Sequence, residues 1–160
     1  MIGVVWVSII LLVVISSWLA TIERAMIMTT PLVLRHEMEI LGTPQRGLWI
    51  EQRYESVLQS ISLLKGLSFI ATMYGFILLF GDHPITVTMY ISGALVSLVV
   101  LWVFASVIAG VIAKTVPVGS VTRSWWIIRF ASMLNPLIRW WIDVVTEIIR
   151  RLTGANLKQN

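Results

Sequence analysis

The sequence predicts an all-α membrane protein with three transmembrane helices and amphipathic helices along the inner membrane surface. Three observations predict it. First, 58% of the 160 residues are hydrophobic and only 12% are charged, about half the usual charged share, so there is too little charge to clothe a surface in water. Second, three runs are uncharged or nearly so and meet the roughly 20 residues needed to cross a bilayer. Third, the charges that exist lie between or after those runs, where they set membrane orientation.

The first run, residues 1–22, has no charged side chain and predicts a span over about 2–22. It lacks the basic leading segment of a signal peptide and its apolar stretch is too long for one, so the span is expected to be retained. It closes on Ser16-Ser17-Trp18-Leu19-Ala20-Thr21-Ile22-Glu23-Arg24-Ala25, where a carboxylate and a guanidinium arrive together before the chain turns apolar again.

Two short helices should follow. Thr30-Pro31 and Thr43-Pro44 repeat one starting device, a hydroxyl at the N-cap and proline at the first helical position. Gly42 fits a C-terminal stop between them. The reading is an interfacial helix over about 31–41, then a second from 44 that runs on through 56 into the second span.

That second span covers about 57–80, with Lys65 its single charge, and the third covers about 85–113 with none. Gly81-Asp82-His83-Pro84 joins them in a tight turn, making them antiparallel neighbours. Gly93, Ala94, Ser97, Ala105, Ser106, Ala109 and Gly110 in the third run suit close helix approach, because lipid supplies no hydrophobic drive between spans.

The last element is amphipathic. Asn135-Pro136 starts it and Gly154 ends it, giving a helix over about 136–153. Arg139, Asp143, Glu147 and Arg151 recur every four residues, with Arg139–Asp143 and Glu147–Arg151 as opposite-charge i,i+4 pairs. Trp125, Trp126, Trp140 and Trp141 suit an interfacial aromatic belt. Such charge density places this helix at the interface, with residues 155–160 as a tail.

Orientation follows from counting basic residues. Arg24, Arg35, Arg46 and Arg53 lie between the first two spans; none lies in the 81–84 link; seven follow residue 113. The excess on one side predicts a multi-pass protein of the cell membrane with its N-terminus outside and its C-terminus inside. The bilayer is therefore the expected partner, and the net charge of +4 is no nucleic-acid footprint.

Chemistry is sparse. Cysteine is absent, which removes disulfides, thiolate metal sites and a cysteine nucleophile. No phosphate loop, HExxH or nucleophile elbow occurs, and His36 and His83 fall on opposite sides of the membrane. The expectation is not an enzyme. Ionisable groups inside the spans are left, and these are functional candidates by default. Glu23 can mark the end of its span, paired with Arg24 or headgroups. Lys65 can snorkel its ammonium to the headgroups. Yet Lys65 lies 15 residues from Phe80, about 22 Å of helix. An acid on one helix and a base on the next, both toward the inner side, also make an interhelical pair.

At this point the chain resembles the transmembrane domain of the CNNM/CorC magnesium transporters. In that family the first span ends in a serine-rich S-A-F-F-S-G-S-E-T-A segment, which Ser16, Glu23 and Ala25 match. The second span carries T-I-L-I-G-N-N-L-V-N, set against Ser60-Ile61-Ser62-Leu63-Leu64-Lys65-Gly66-Leu67-Ser68-Phe69 here, with the apolar frame kept and the asparagines replaced. The third ends in G-E-x-x-P-K, against Gly110-Val111-Ile112-Ala113-Lys114-Thr115. The closing helix is similar to residues 136–154. The resemblance implies a CNNM/CorC-like domain over 1–154, without the CBS domains, that dimerises or assembles with another membrane protein. It implies an ion pathway through Ser16, Thr21, Glu23, Lys65, Gly66 and Ser68, with Mg2+ as the ion concerned and no resident cofactor. Lys65 falls at a family metal-site asparagine, so its ammonium would stand as a tethered cation opposite Glu23. A second reading stays open beside it: a small accessory or structural membrane protein that assembles with a partner and does not transport.

Overall fold

A computed structural model describes residues 2–80 and 87–153. The described residues are helical, with no strand among them. In chain order they form α1 (Ile2–Met28), α2 (Pro31–Ile40), α3 (Pro44–Gln52), α4 (Tyr54–Phe80) and α5 (Val87–Leu101). A π-helical segment (Trp102–Ile108), α6 (Ala109–Thr115), α7 (Pro117–Arg123), α8 (Trp125–Ser132) and α9 (Asn135–Thr153) complete the chain. Three stretches are long and apolar enough to cross a membrane: Gly3–Met28, Tyr54–Leu79 and Val87–Thr115. Their outward residues stay uncovered, Val4 at 72% and Leu98 at 65% exposure among them. Hydrocarbon suits that surface and water does not.

The first span is longer than the sequence suggests. α1 does not stop at residue 22 but runs to Met28, so Glu23 and Arg24 sit inside a helix rather than at its end. The reason is that Ala25 and Met26 are fully buried in the main core and continue the packing stripe of Leu19 and Ile22.

The short helices begin and end largely as their residues dictate. The Thr30 oxygen accepts from the Val33 amide at 3.5 Å, capping α2. Gly42, at φ 74°, takes the left-handed conformation a helix stop requires. The Gly42 amide donates to the Glu39 carbonyl at 3.0 Å and the Thr43 amide to the Met38 carbonyl at 2.9 Å, the paired bonds of a Schellman ending. Thr43 differs from expectation. Its hydroxyl gives α3 no cap and instead donates to the Met38 carbonyl at 3.2 Å, securing the end of α2. The expected run from 44 into the second span is also broken. Arg53 leaves helical geometry at φ −123°, ψ 17°, and α4 starts anew at Tyr54. There the Arg53 guanidinium lies 5.1 Å from the Trp49 ring centre. Trp49 meets Trp125 edge-on at 5.2 Å, and Arg46 lies 5.5 Å from Trp125. This ladder of cations and rings ties α3 to α8.

The two stretches between the third span and α9, left unassigned by sequence, are helices α7 and α8. They meet at Ser124, which is fully buried and receives the Trp18 indole N–H at 2.8 Å. The core lies at this end of the bundle. Leu19, Ile22 and Met26 of α1 join Leu34 and Met38 of α2, Ile50 of α3, Val57 and Ile61 of α4, and Ile128 of α8. A smaller cluster of Ile9, Val13 and Phe76 holds α1 to α4 toward the other end. Gly93 lets α5 approach α4 closely: a Cβ there would lie 2.9 Å from the Ile77 Cα.

In α9, Arg151 and Arg150 both bind Glu147, at 2.9 and 2.7 Å. The expected Arg139–Asp143 pair does not form. Both side chains instead line a polar hollow with Arg53, Ser56 and Ser132. The 81–84 turn, residues 85–86, the Gly154 stop and the 155–160 tail lie outside the described residues.

Candidate functional site

The site is built from a helix-geometry rule: residues seven apart stand two turns up the same face. Ser16 and Glu23 form one such pair on α1, Ser17 and Arg24 the next, about 100° further round. The first pair faces α4 and the second faces the third span.

On the α4 side, Ser62 and Lys65 are three residues apart and share a face. The Lys65 ammonium donates to one oxygen of Glu23 and the Ser62 hydroxyl donates to the other. Glu23 is 8% exposed. One turn on, the Ser16 hydroxyl donates to the Ser68 oxygen at 2.9 Å, and the Ser68 hydroxyl donates to the Lys65 carbonyl at 2.8 Å. Thr72 continues the line, its hydroxyl donating to the Ser68 carbonyl at 2.7 Å. The result is a polar seam between α1 and α4 in which each group has a partner.

On the other side, the Ser17 hydroxyl donates to the Phe104 carbonyl at 2.9 Å and Arg24 donates to the Ser106 carbonyl at 2.5 Å. Both acceptors lie in the π segment, where the Ala109 amide reaches back five residues to the Phe104 carbonyl. A π turn shifts carbonyls off the regular ladder, and α1 supplies side-chain donors to two of them. Gly110 leaves room for the guanidinium, since a Cβ there would lie 2.5 Å from Arg24 Nη1.

Of the residues singled out from sequence, Ser16, Glu23, Lys65 and Ser68 come together in the seam. Thr21 does not join them: it is buried, and its hydroxyl donates to the Ser17 carbonyl of its own helix at 2.9 Å. Gly66 does not either, for a Cβ there would meet nothing within 4 Å. Glu23 is not paired with Arg24, and Lys65 does not snorkel away from the bundle. Sequence reasoning gave Ser62 and Ser17 no role in the site, and offered Arg24 only as a partner of Glu23. The i,i+3 spacing of Ser62 to Lys65 and the seven-residue spacing of Ser17 to Arg24 were the signals available.

The seam's capacity for a metal is small. Among the described residues no three His, Asp or Glu side chains gather. The single carboxylate has both oxygens engaged, whereas magnesium is held through carboxylates with free lone pairs in near-octahedral geometry. Ser68 also edges a cleft of about 690 Å3 between α1, α4 and α8, whose other walls are largely apolar. No family model matches the chain, and comparison with curated proteins and with solved structures finds no similar protein.

Proposed function

We propose that the chain is an accessory membrane protein that assembles with a partner, as a homodimer or on another membrane protein, and does not transport a cation. Its spans would lie with the N-terminus outside and α2, α3 and α9 along the inner surface, following the arginine excess there. The observation that supports this reading is the closure of Glu23: Lys65 holds one oxygen and Ser62 the other. An incoming cation would have to displace an ammonium tethered at high effective concentration. It would also leave that ammonium unpaired among apolar helices, at a cost of several kcal/mol.

The seam also favours a second, related reading, that the fold is a CNNM/CorC-like domain whose ion site has been filled from within. Ser16 and Glu23 are two of the three residues that match the family's first-span motif, Ala25 being the other, and Lys65 stands where the family has asparagine. Magnesium would then be the ion whose place the ammonium takes.

Reconstitution in proteoliposomes tests the first reading. Magnesium entry is expected to equal that of empty liposomes; entry above it that Glu23→Gln abolishes would overturn the proposal. Lys65→Asn tests the second. A magnesium-dependent rise in Tm, present in Lys65→Asn and absent in the parent, is expected of a filled ion site. No rise in a folded Lys65→Asn protein removes the family likeness and leaves the accessory reading standing.

A further inference from the structure

Arg123 ends α7, and its side chain forms no hydrogen bond or ion pair with any described residue. Its neighbour Ser124 is fastened to Trp18, which lies five residues before Glu23 on α1, about 7 Å along the helix. Arg123 itself is exposed, so its long side chain can carry the guanidinium to the membrane–water interface, where anionic headgroups lie. Beside it opens the 690 Å3 cleft, walled by Trp18, Leu64, Leu67, Ala71, Trp126 and Phe130. The one wall hydroxyl, Ser68, is already committed to the Lys65 carbonyl and to Ser16. The cleft thus offers one unpaired cation on the wall of a hydrocarbon-lined trough.

We propose that this cleft is a binding site for one anionic phospholipid, its phosphate on Arg123 and one acyl chain laid along Leu64, Leu67, Ala71 and Phe130. The charge complementarity selects the occupant. An apolar helix from a partner would fill the trough but leave Arg123 uncompensated, whereas a free anion would satisfy Arg123 and leave the trough bare. A phosphate ester carrying a hydrocarbon chain does both. Arginine suits the head because its planar fork meets phosphate oxygens in pairs. Trp18 and Trp126 suit the chain's glycerol end, since indole rings favour the membrane–water interface. The site is independent of the closed carboxylate and stands whether or not the chain moves ions.

The test uses the full chain purified in mild detergent. Native mass spectrometry is expected to show one phospholipid retained per chain. Added phosphatidylglycerol should raise Tm by several degrees more than added phosphatidylcholine. Arg123→Gln should abolish that difference. Ala71→Phe, which fills the trough, should lose the retained lipid while keeping helix content and a monodisperse profile. The proposal is overturned if Arg123→Gln keeps the preference for phosphatidylglycerol, or if folded Ala71→Phe retains lipid at the parental level. It is equally overturned if inorganic phosphate alone reproduces the rise in Tm, which would make the site one for the ion and not the lipid.

Discussion

Glu23 on α1 and Lys65 on α4, 42 residues apart in sequence, form an ion pair between the first and second spans. The acid side chain is 11% exposed and the base 26%, so the pair is mostly withdrawn from its surroundings. Its partner set is complete, because Ser62 takes the second carboxylate oxygen. Three expectations follow from this pair and the helix packing, and a fourth from the ion pairs of α9.

Removing one charge should cost more than removing both. Lys65→Met leaves Glu23 buried without a cation and is expected to destabilise by about 3–5 kcal/mol, while Glu23→Gln with Lys65→Met should recover most of it. Thermal or chemical unfolding in detergent gives the cycle. Single effects that add to within ~0.5 kcal/mol would mean that the two groups are uncoupled.

The α1 contact with the π segment should behave as one unit. Arg24→Gln withdraws the donor from the Ser106 carbonyl, and Gly110→Ala pushes the same guanidinium aside. Each is expected to cost about 1.5–3 kcal/mol, the range for a hydrogen bond made by a charged group, and the double variant about as much as either alone. Strict additivity in unfolding measurements would contradict the shared mechanism.

Two glycines should respond in opposite ways. At Gly93 an added Cβ meets the Ile77 backbone at 2.9 Å, so Gly93→Ala should drive α4 and α5 apart and cost about 1–3 kcal/mol. At Gly66 the added methyl meets nothing within 4 Å, and alanine should gain about 0.5–1 kcal/mol from helix preference. A comparison of the two Tm shifts decides it; shifts of the same sign would count against the packing described.

Acid should loosen α9 first. Hydrogen bonds from Arg151 and Arg150 hold the Glu147 carboxyl below its ordinary 4.5. A carboxyl depressed in the folded state contributes stability above its unfolded value, and that contribution is lost as pH falls through the folded one. Amide exchange over α9 should therefore quicken below about pH 4.5, and Glu147→Gln should already show the faster exchange at neutral pH. Because Glu147 and its partners are exposed, the effect should be small and reduced by salt.

Much of this was legible in the residues. Thr30-Pro31 and Gly42 mark the bounds of α2, and Asn135 opens α9, because caps and stops act within a few residues of themselves. The break at Arg53 was not legible, since it is accompanied by the placing of Arg53 over Trp49 and the edge-on meeting of Trp49 with Trp125, far along the chain. Nor were α7 and α8, whose residues Val121 and Ile128 are buried only by joining a core shared with five other helices. The ion pair sits between these cases: the acid and the base were visible, and Ser62 and the outward turn of Gly66 were not.

Composition determined by itself that the chain's surface suits hydrocarbon, and run lengths determined that three helices are long enough to cross it. Which face of each helix meets which neighbour was left to the tertiary structure. A span that is apolar all round has no hydrophobic side to turn inward, and lipid is as good a solvent for leucine as the bundle is. The rotation that brings Glu23 to Lys65, and Arg24 to a carbonyl of the π segment, is therefore set by contacts between helices, through close packing at small residues and the need of each polar group for a partner.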